Sequence, residues 1–228
     1  MRVLSWNVGL ATDLFRKVMC IKETRRDSIT RICNRILIED VDLVALQEVY
    51  DNDFIEIREN LKTNYPNAIN DAKLGLCFFS KPKISKEYKI KFPRDMLSKC
   101  LRSDNGVLVI REKKTRRFFC NVHMSCGLGC KYEMEYLNVV KNVHKNDDLF
   151  LLGDFNLIRH MNFTSLCEKM GIRQNEYNNE NTYRHPLFNC NLDYILYFTS
   201  GMEYGIEMPV KYIKDNSSDH IPIITDIS

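Results

Sequence analysis

Residues 149–156, LFLLGDFN, place the tightest constraint on what this chain can fold into. Successive side chains on a strand point to opposite sides, so four apolar residues in a row leave no face for water. The run reads as an inner strand buried on both faces, which a layered protein supplies. It then closes on a glycine, an aspartate, a phenylalanine and an asparagine. Gly153 is expected to let the backbone turn. Asp154 and Asn156 are expected to project into one cleft, with Phe155 pointing back to the core.

Similar endings recur along the chain. Asn7 closes a strand near Val3 to Val8, Glu48 closes VDLVALQEV (41–49), and His123 lies near the end of FFCNVH. Asp193 opens LDYILY, and Asp219 with His220 precedes IPII. Each residue alone is ordinary: a strand end, a turn, a structural histidine. An acid, amide or imidazole beside almost every apolar strand is what a cleft across sheet edges requires.

Between these strands, apolar residues at three-four spacing predict a helix over residues 25–38, built on Ile29, Ile32, Cys33, Ile36 and Leu37. Phe54, Ile57 and Leu61 mark a second. Tyr132, Tyr136, Val139, Val140 and Val143 mark a third, and Phe163, Leu166, Cys167 and Met170 a fourth. LGLCFFS (74–80) reads as a buried strand that KEYKIKF continues, and GVLVIRE and RFFCNVHM as a hairpin around KKTR. Trp6 alternates with Leu4 and Val8 and reads as core. With 228 residues, 44% hydrophobic content and no linker or repeat, residues 1–228 are expected to form a single domain.

The start, MRVLSWNVGL, lacks the apolar stretch and cleavage site of a secretory signal, and no run suits a transmembrane segment. A soluble, intracellular protein, cytoplasmic or nuclear, is therefore expected, with a monomer as the default. Nine scattered cysteines then read as reduced thiols packed as small hydrophobes. Cys120, His123, Cys126 and Cys130 raise the question of zinc. Cys120 and His123 stand an odd number of residues apart on a strand and face opposite ways, so buried thiols are preferred. GLGCK (127–131) reads as a flexible connection rather than a phosphate-cradling loop. From Lys73 to Arg117 the chain carries 14 Lys/Arg against 4 Asp/Glu. Such a run can face a polyanion, or it can be lysine-guarded edge strands and a hairpin tip, and the edge reading is slightly preferred.

SWNV, LVALQEV, GLCFFSK, NVHM, LLGDFN, LDYILY and SDHIPI occur in the order seen in the endonuclease/exonuclease/phosphatase superfamily, and the chain resembles that group from residue 3 to residue 227. The group includes deoxyribonuclease I, abasic-site endonucleases, neutral sphingomyelinases, inositol polyphosphate 5-phosphatases and deadenylases. The resemblance implies an α/β fold: a four-layered α/β sandwich, two mixed central β-sheets packed face to face with helices outside. It implies hydrolysis of a phosphoester with Mg2+, or Mn2+, as cofactor. By position, Glu48 matches the principal metal-binding glutamate, with Asn7 and Asp219 beside it. Asp154 and Asn156 match the pair that positions and deprotonates water, His220 the histidine that contacts the scissile phosphate, and Asp193 the carboxylate that orients it. His123 matches the other histidine of the deoxyribonuclease and sphingomyelinase branches.

That chemistry needs these residue types. A carboxylate-held dication offsets the charge by which a phosphodiester repels nucleophiles. A second carboxylate then serves as base, and an imidazole fixed by a carboxylate is favoured as a cation facing phosphate oxygens. The implied partner is a phosphate-containing substrate, nucleic acid first. A sphingomyelinase-like or inositol-phosphatase-like activity on a lipid or small-molecule phosphate is the alternative.

Overall fold

The computed structural model describes residues 1–10, 24–93, 104–125, 130–157, 162–175, 178, 180–184, 189–200, 204–215 and 218–227. Apolar residues on both faces of the predicted strands impose the layering. The first sheet holds β1 (Arg2–Asn7), β2 (Leu43–Gln47), β3 (Asn67–Asp71), β4 (Leu76–Ser80), β14 (Lys211–Tyr212) and β15 (Ile223–Asp226), in the order β14-β15-β1-β2-β4-β3. The second holds β5 (Ile84–Lys91), β6 (Gly106–Glu112), β7 (Phe118–His123), β8 (Leu149–Asp154), β9 (Ile172–Arg173), β12 (Asp193–Phe198) and β13 (Gly205–Glu207), in the order β5-β6-β7-β8-β12-β13-β9. A ribbon of β10 (Tyr183–Arg184) and β11 (Asn189–Cys190) stands beside them.

Alternate residues of each inner strand enter different cores. On β8, Phe150 and Leu152 pack between the sheets with Val3, Leu43 and Phe78, while Leu149 and Leu151 face α3 (Cys130–Val143) and α4 (Thr164–Met170). On β1, Leu4 and Trp6 face α1 (Arg25–Glu39) and α2 (Asp51–Leu61) on the far side of the first sheet. Helices, sheet, sheet and helices therefore make four layers. α1 follows its predicted span closely, with the Thr24 side chain capping its first turn and Asp40 ending it in the left-handed region.

The two sheets repeat one pattern. In each, a parallel pair joined through a helix (β1-α1-β2 and β7-α3-β8) is flanked by antiparallel strands. The carboxyl ends of both parallel pairs lie where crevices form in α/β sheets, and they carry Asn7, Glu48, His123 and Asp154.

Beneath that crevice the sheets are stitched together by polar side chains. Asn121 of β7 donates to the carbonyls of Leu46 (2.8 Å) and Cys77 (3.0 Å) in the opposite sheet and accepts from Gln47 Nε2 (2.7 Å). Gln47 also reaches Ser5 Oγ at 3.4 Å. Asn121, Gln47 and Ser5 are fully buried.

Three expectations change. KEYKIKF does not continue β4: β5 crosses to the other sheet and forms its edge. The lysines there guard that edge. Lys86 and Lys89 pair with Asp71 at 3.2 and 2.5 Å, and Lys91 pairs with Asp104 at 2.6 Å, so the lysines of this edge are paired locally. On α3 the buried face is Glu133, Met134, Leu137 and Val140. Tyr136, Val139 and Val143 are exposed, because the helix carries a second apolar stripe that spacing alone assigned to the core. Finally, the strand does not turn at Gly153. It runs on through Asp154 with Gly153 at φ 145°, where an added Cβ would lie 2.0 Å from the Val122 carbonyl oxygen.

Cys33, Cys77, Cys120, Cys167 and Cys190 are free and buried, and Cys120 faces the helices while His123 reaches the cleft. Cys20, Cys100, Cys126 and residues 127–129 lie outside the described residues, as do the side chains of Cys130, Lys131 and Tyr132. No described helix is long and apolar enough to cross a membrane.

Replacing Asn121 by alanine removes the donors to two buried carbonyls and leaves the Gln47 amide only its 3.4 Å contact with Ser5. Each buried group left unsatisfied costs about 1–3 kcal/mol, so Asn121→Ala is expected to lower the urea midpoint sharply. An unchanged midpoint would show that the stitch contributes nothing.

Candidate active site

Register assembles the site. In the second sheet His123 is the lateral neighbour of Asp154, and Asp154 of Asp193, giving an imidazole and two carboxylates in a row. In the first sheet Asn7 pairs with Gln47, and Glu48 follows one residue on. Gln47 points between the sheets, so regular alternation would send Glu48 away from the cleft. Glu48 instead has φ 61°, and its carboxylate returns to the same side. Asn156 uses the same device at φ 50°. Its backbone N–H donates to Asp154 Oδ1 (2.8 Å) and its amide to the Met124 carbonyl (2.7 Å), while Phe155 is buried in the core beneath.

The rows meet at Asp154 Oδ2. Asn7 Nδ2 donates to it at 3.0 Å and to Glu48 Oε1 at 3.0 Å, bridging the sheets. His220 Nε2 lies 3.6 Å from that oxygen and His123 Nε2 3.8 Å, with His123 Nε2 also 3.9 Å from Glu48 Oε1. His220 Nδ1 donates to Asp193 Oδ2 at 2.9 Å. Asp219 stands at the rim: the Ser218 hydroxyl spans from the Asn7 carbonyl (2.8 Å) to Asp219 Oδ1 (3.2 Å), and Asp219 crowds Gly9. All eight sequence-predicted residues thus come to one end of the sandwich. Seven are linked by the contacts above, and Asp219 joins through Ser218 and Asn7.

Thr182 was not foreseen. Fully buried, its hydroxyl accepts the N–H groups of Leu192 (3.0 Å) and Asp193 (3.1 Å), and its carbonyl accepts Ile221 N–H (2.6 Å). It therefore fixes the segments carrying Asp193 and His220 against each other. The next residue, Tyr183, bridges to His220 and lays its ring 4.9 Å from the imidazole. No chemical signal distinguished this threonine from others in the chain. Ser218, two residues before the histidine, was visible only as part of SDH.

Burial and charge separate the two imidazoles. His220 is held up to about 10: burial lowers it, but Asp193, Asp154 and Asp219 outweigh that. His123 is pushed down by burial, against the pull of Asp154, and is neutral at neutral pH. Burial raises Asp154 above the usual carboxylate range, although His220 opposes it. The site thus offers one imidazolium, one neutral imidazole and a carboxylate with raised proton affinity.

Asp154, Asp193 and His220 bring their ligating atoms within 4.8 Å of one another. The His220 imidazolium between two carboxylates offsets only one of their two charges. The side chain of Glu48 is 20% exposed, against 2% for Asp154, and Asp219 is half-buried. Glu48 and Asp219 thus offer the accessible hard oxygen donors that suit a divalent cation, while Asp193 Oδ1 is buried without a hydrogen-bond partner among the described residues.

Set beside known proteins, the chain matches the model of the endonuclease/exonuclease/phosphatase family over residues 4–220, and it belongs to that family. It is a phosphoester hydrolase, and family members bind divalent metal. Solved structures with the same fold include sphingomyelinase C from Streptomyces griseocarneus, 18% identical with a TM-score of 0.70 over 98% of each chain. A beta toxin mutant from Staphylococcus aureus with bound magnesium ions is 16% identical with a TM-score of 0.70, again over 98% of each chain. Mannosyl-6-phosphatase from Bacteroides thetaiotaomicron is 15% identical with a TM-score of 0.67 over 98% of each chain. No curated protein sequence matches the chain.

His220 binds its proton more tightly folded than unfolded. Its contribution to stability is complete below pH about 6.5 and is lost as pH rises through about 10. Urea unfolding of the metal-free protein in EDTA should therefore show a midpoint falling from pH 7 to pH 10. Asp193→Asn should flatten that fall.

Proposed function

We propose that the protein is a magnesium-dependent phosphodiesterase that cleaves nucleic acid by attack of water, acting as a monomer through a single catalytic domain. The observation that carries this reading is the Asn7 bridge, which holds Glu48 and Asp154 on either side of one cleft beside a cationic His220.

Glu48, with Asn7 and Asp219, would hold the metal; the Asn7 side-chain oxygen accepts from Gly9 N–H while its amide nitrogen bridges Glu48 and Asp154. When bound, a divalent cation there supplies positive charge against the phosphate and the departing oxygen. Asp154 accepts a proton from the attacking water, which its raised proton affinity favours. Asn156, pinned by Asp154 and Met124, orients that water. His220, kept protonated and aimed by Asp193, donates to a phosphate oxygen and stabilises charge as it develops. His123, with Nδ1 unpartnered among the described residues, supplies a neutral donor or acceptor beside Glu48.

Nucleic acid is put first because Arg184, whose backbone N–H holds the Asp219 carbonyl, sets a cation on the strand beside the site. The β5 lysines lend less support than their number suggests, being paired with Asp71 and Asp104. A second reading, hydrolysis of a lipid or small-molecule phosphate, draws on the fold shared with a sphingomyelinase and a sugar phosphatase.

Labelled single- and double-stranded DNA and RNA should be cut in magnesium and spared in EDTA. Release of phosphocholine or inorganic phosphate from other substrates, with nucleic acid left whole, would favour the second reading. Loss of one preorganised electrostatic group costs on the order of 100-fold or more in kcat. Glu48→Ala and His220→Ala should each show such a loss while remaining folded.

A further inference from the structure

Away from the cleft, positive charge is gathered from residues far apart in sequence. A cavity of about 490 Å³ lies between α1, β10 and the segment after β14, lined by Arg31, Arg35, Arg184 and Lys214 with Asn34 and Asp215. Its inner wall is built. The Asp215 side chain, 8% exposed, accepts from Arg35 Nε at 2.9 Å, and its backbone carbonyl accepts from Arg184 Nη1 at 3.1 Å. Glu39 lies 3.6 Å from the other side of Arg35. Two acids thus anchor the inner arginine, while Arg31 and Lys214 are exposed at the mouth. Among the described residues, four cations stand against two carboxylates, Asp215 and Glu39, so the lining is cationic.

The cavity shares walls with the candidate active site. Arg184 N–H donates to the Asp219 carbonyl at 2.8 Å, and Tyr183, one residue earlier on the same strand, packs its ring against His220. Neighbouring residues of a strand face opposite ways, so Tyr183 turns to the cleft and Arg184 to the cavity. Lys214 and Asp215 likewise lie a few residues before Asp219 and His220. A ligand with one phosphate serves one of these places; a strand with a phosphate on every nucleotide serves both.

We propose that this cavity is a second phosphate site, taking a backbone phosphate of a nucleic-acid strand while another phosphate of that strand lies at the cleft. It rests on the nuclease reading above, but binding tests it separately from cleavage. Guanidinium groups suit phosphate through paired N–H donors, with the lysine acting as a point charge.

The experiment measures fluorescence anisotropy of labelled single-stranded DNA and RNA oligonucleotides in EDTA, so that nothing is cut, for the wild type and Arg31→Glu/Lys214→Glu. The double variant should bind at least about tenfold more weakly at low salt. Its salt dependence should be shallower by about 0.7 in log K per log salt for every phosphate that the variant no longer neutralises. In magnesium, its turnover of bis-p-nitrophenyl phosphate, too small to span both places, should match the wild type. Equal affinity and equal salt slope in the two proteins would overturn the proposal. So would binding of the wild type to phosphatidylserine vesicles, abolished in the variant, with no oligonucleotide binding. Absence of magnesium-dependent cleavage despite cavity-dependent binding would overturn the nuclease reading alone.

Discussion

Two buried amides hold the sandwich to a single register. Asn121 satisfies backbone carbonyls of the opposite sheet, and Asn7 spans Glu48 and Asp154 above it. Apolar contacts between sheets are non-directional and tolerate sliding. A buried amide is not tolerant, because a displaced donor leaves an unsatisfied carbonyl. The stitch beneath the cleft therefore fixes how far Glu48 in one sheet stands from the acids and imidazoles of the other.

The same placement creates an electrostatic problem that the surroundings offset. Carboxylates converge at the strand ends, and Asp154 and Asp193 are nearly excluded from water. Burial raises Asp154, while the cationic His220 lies close to both acids. Thr182 keeps that cation in place by joining the two segments that bear Asp193 and His220. A second imidazole, held neutral by burial, avoids overfilling the cleft with fixed positive charge. The accessible anions that remain, above all Glu48, are those at the mouth.

Much of this was legible in the sequence. Continuous apolar runs such as LFLL required inner strands, and polar residues at their margins required a shared end. The layered α/β class and the meeting of Asn7, Glu48, Asp154 and His220 followed from those patterns and from the order of the motifs. Other features were hidden for physical reasons. Periodicity reports which helix residues are apolar but not which stripe meets the core, so Tyr136, Val139 and Val143 were misassigned. Alternation cannot reveal a left-handed residue at Glu48, nor which sheet receives β5. Counting charge along the chain marked residues 73–117, where the folded partners are Asp71 and Asp104. The cavity around Asp215 draws its cations from residues 31 to 214, and no window along the sequence contains them.

The repeated strand pattern divides the site between two halves. β1-α1-β2 with β4, and β7-α3-β8 with β12, are built to one plan, and their equivalent ends bear Asn7 and Glu48 in one half and His123 and Asp154 in the other. Neither half carries a complete set of polar groups, and each presents to the other what it lacks. Prising the sheets apart would therefore dismantle the site before either sheet had lost a strand of its own.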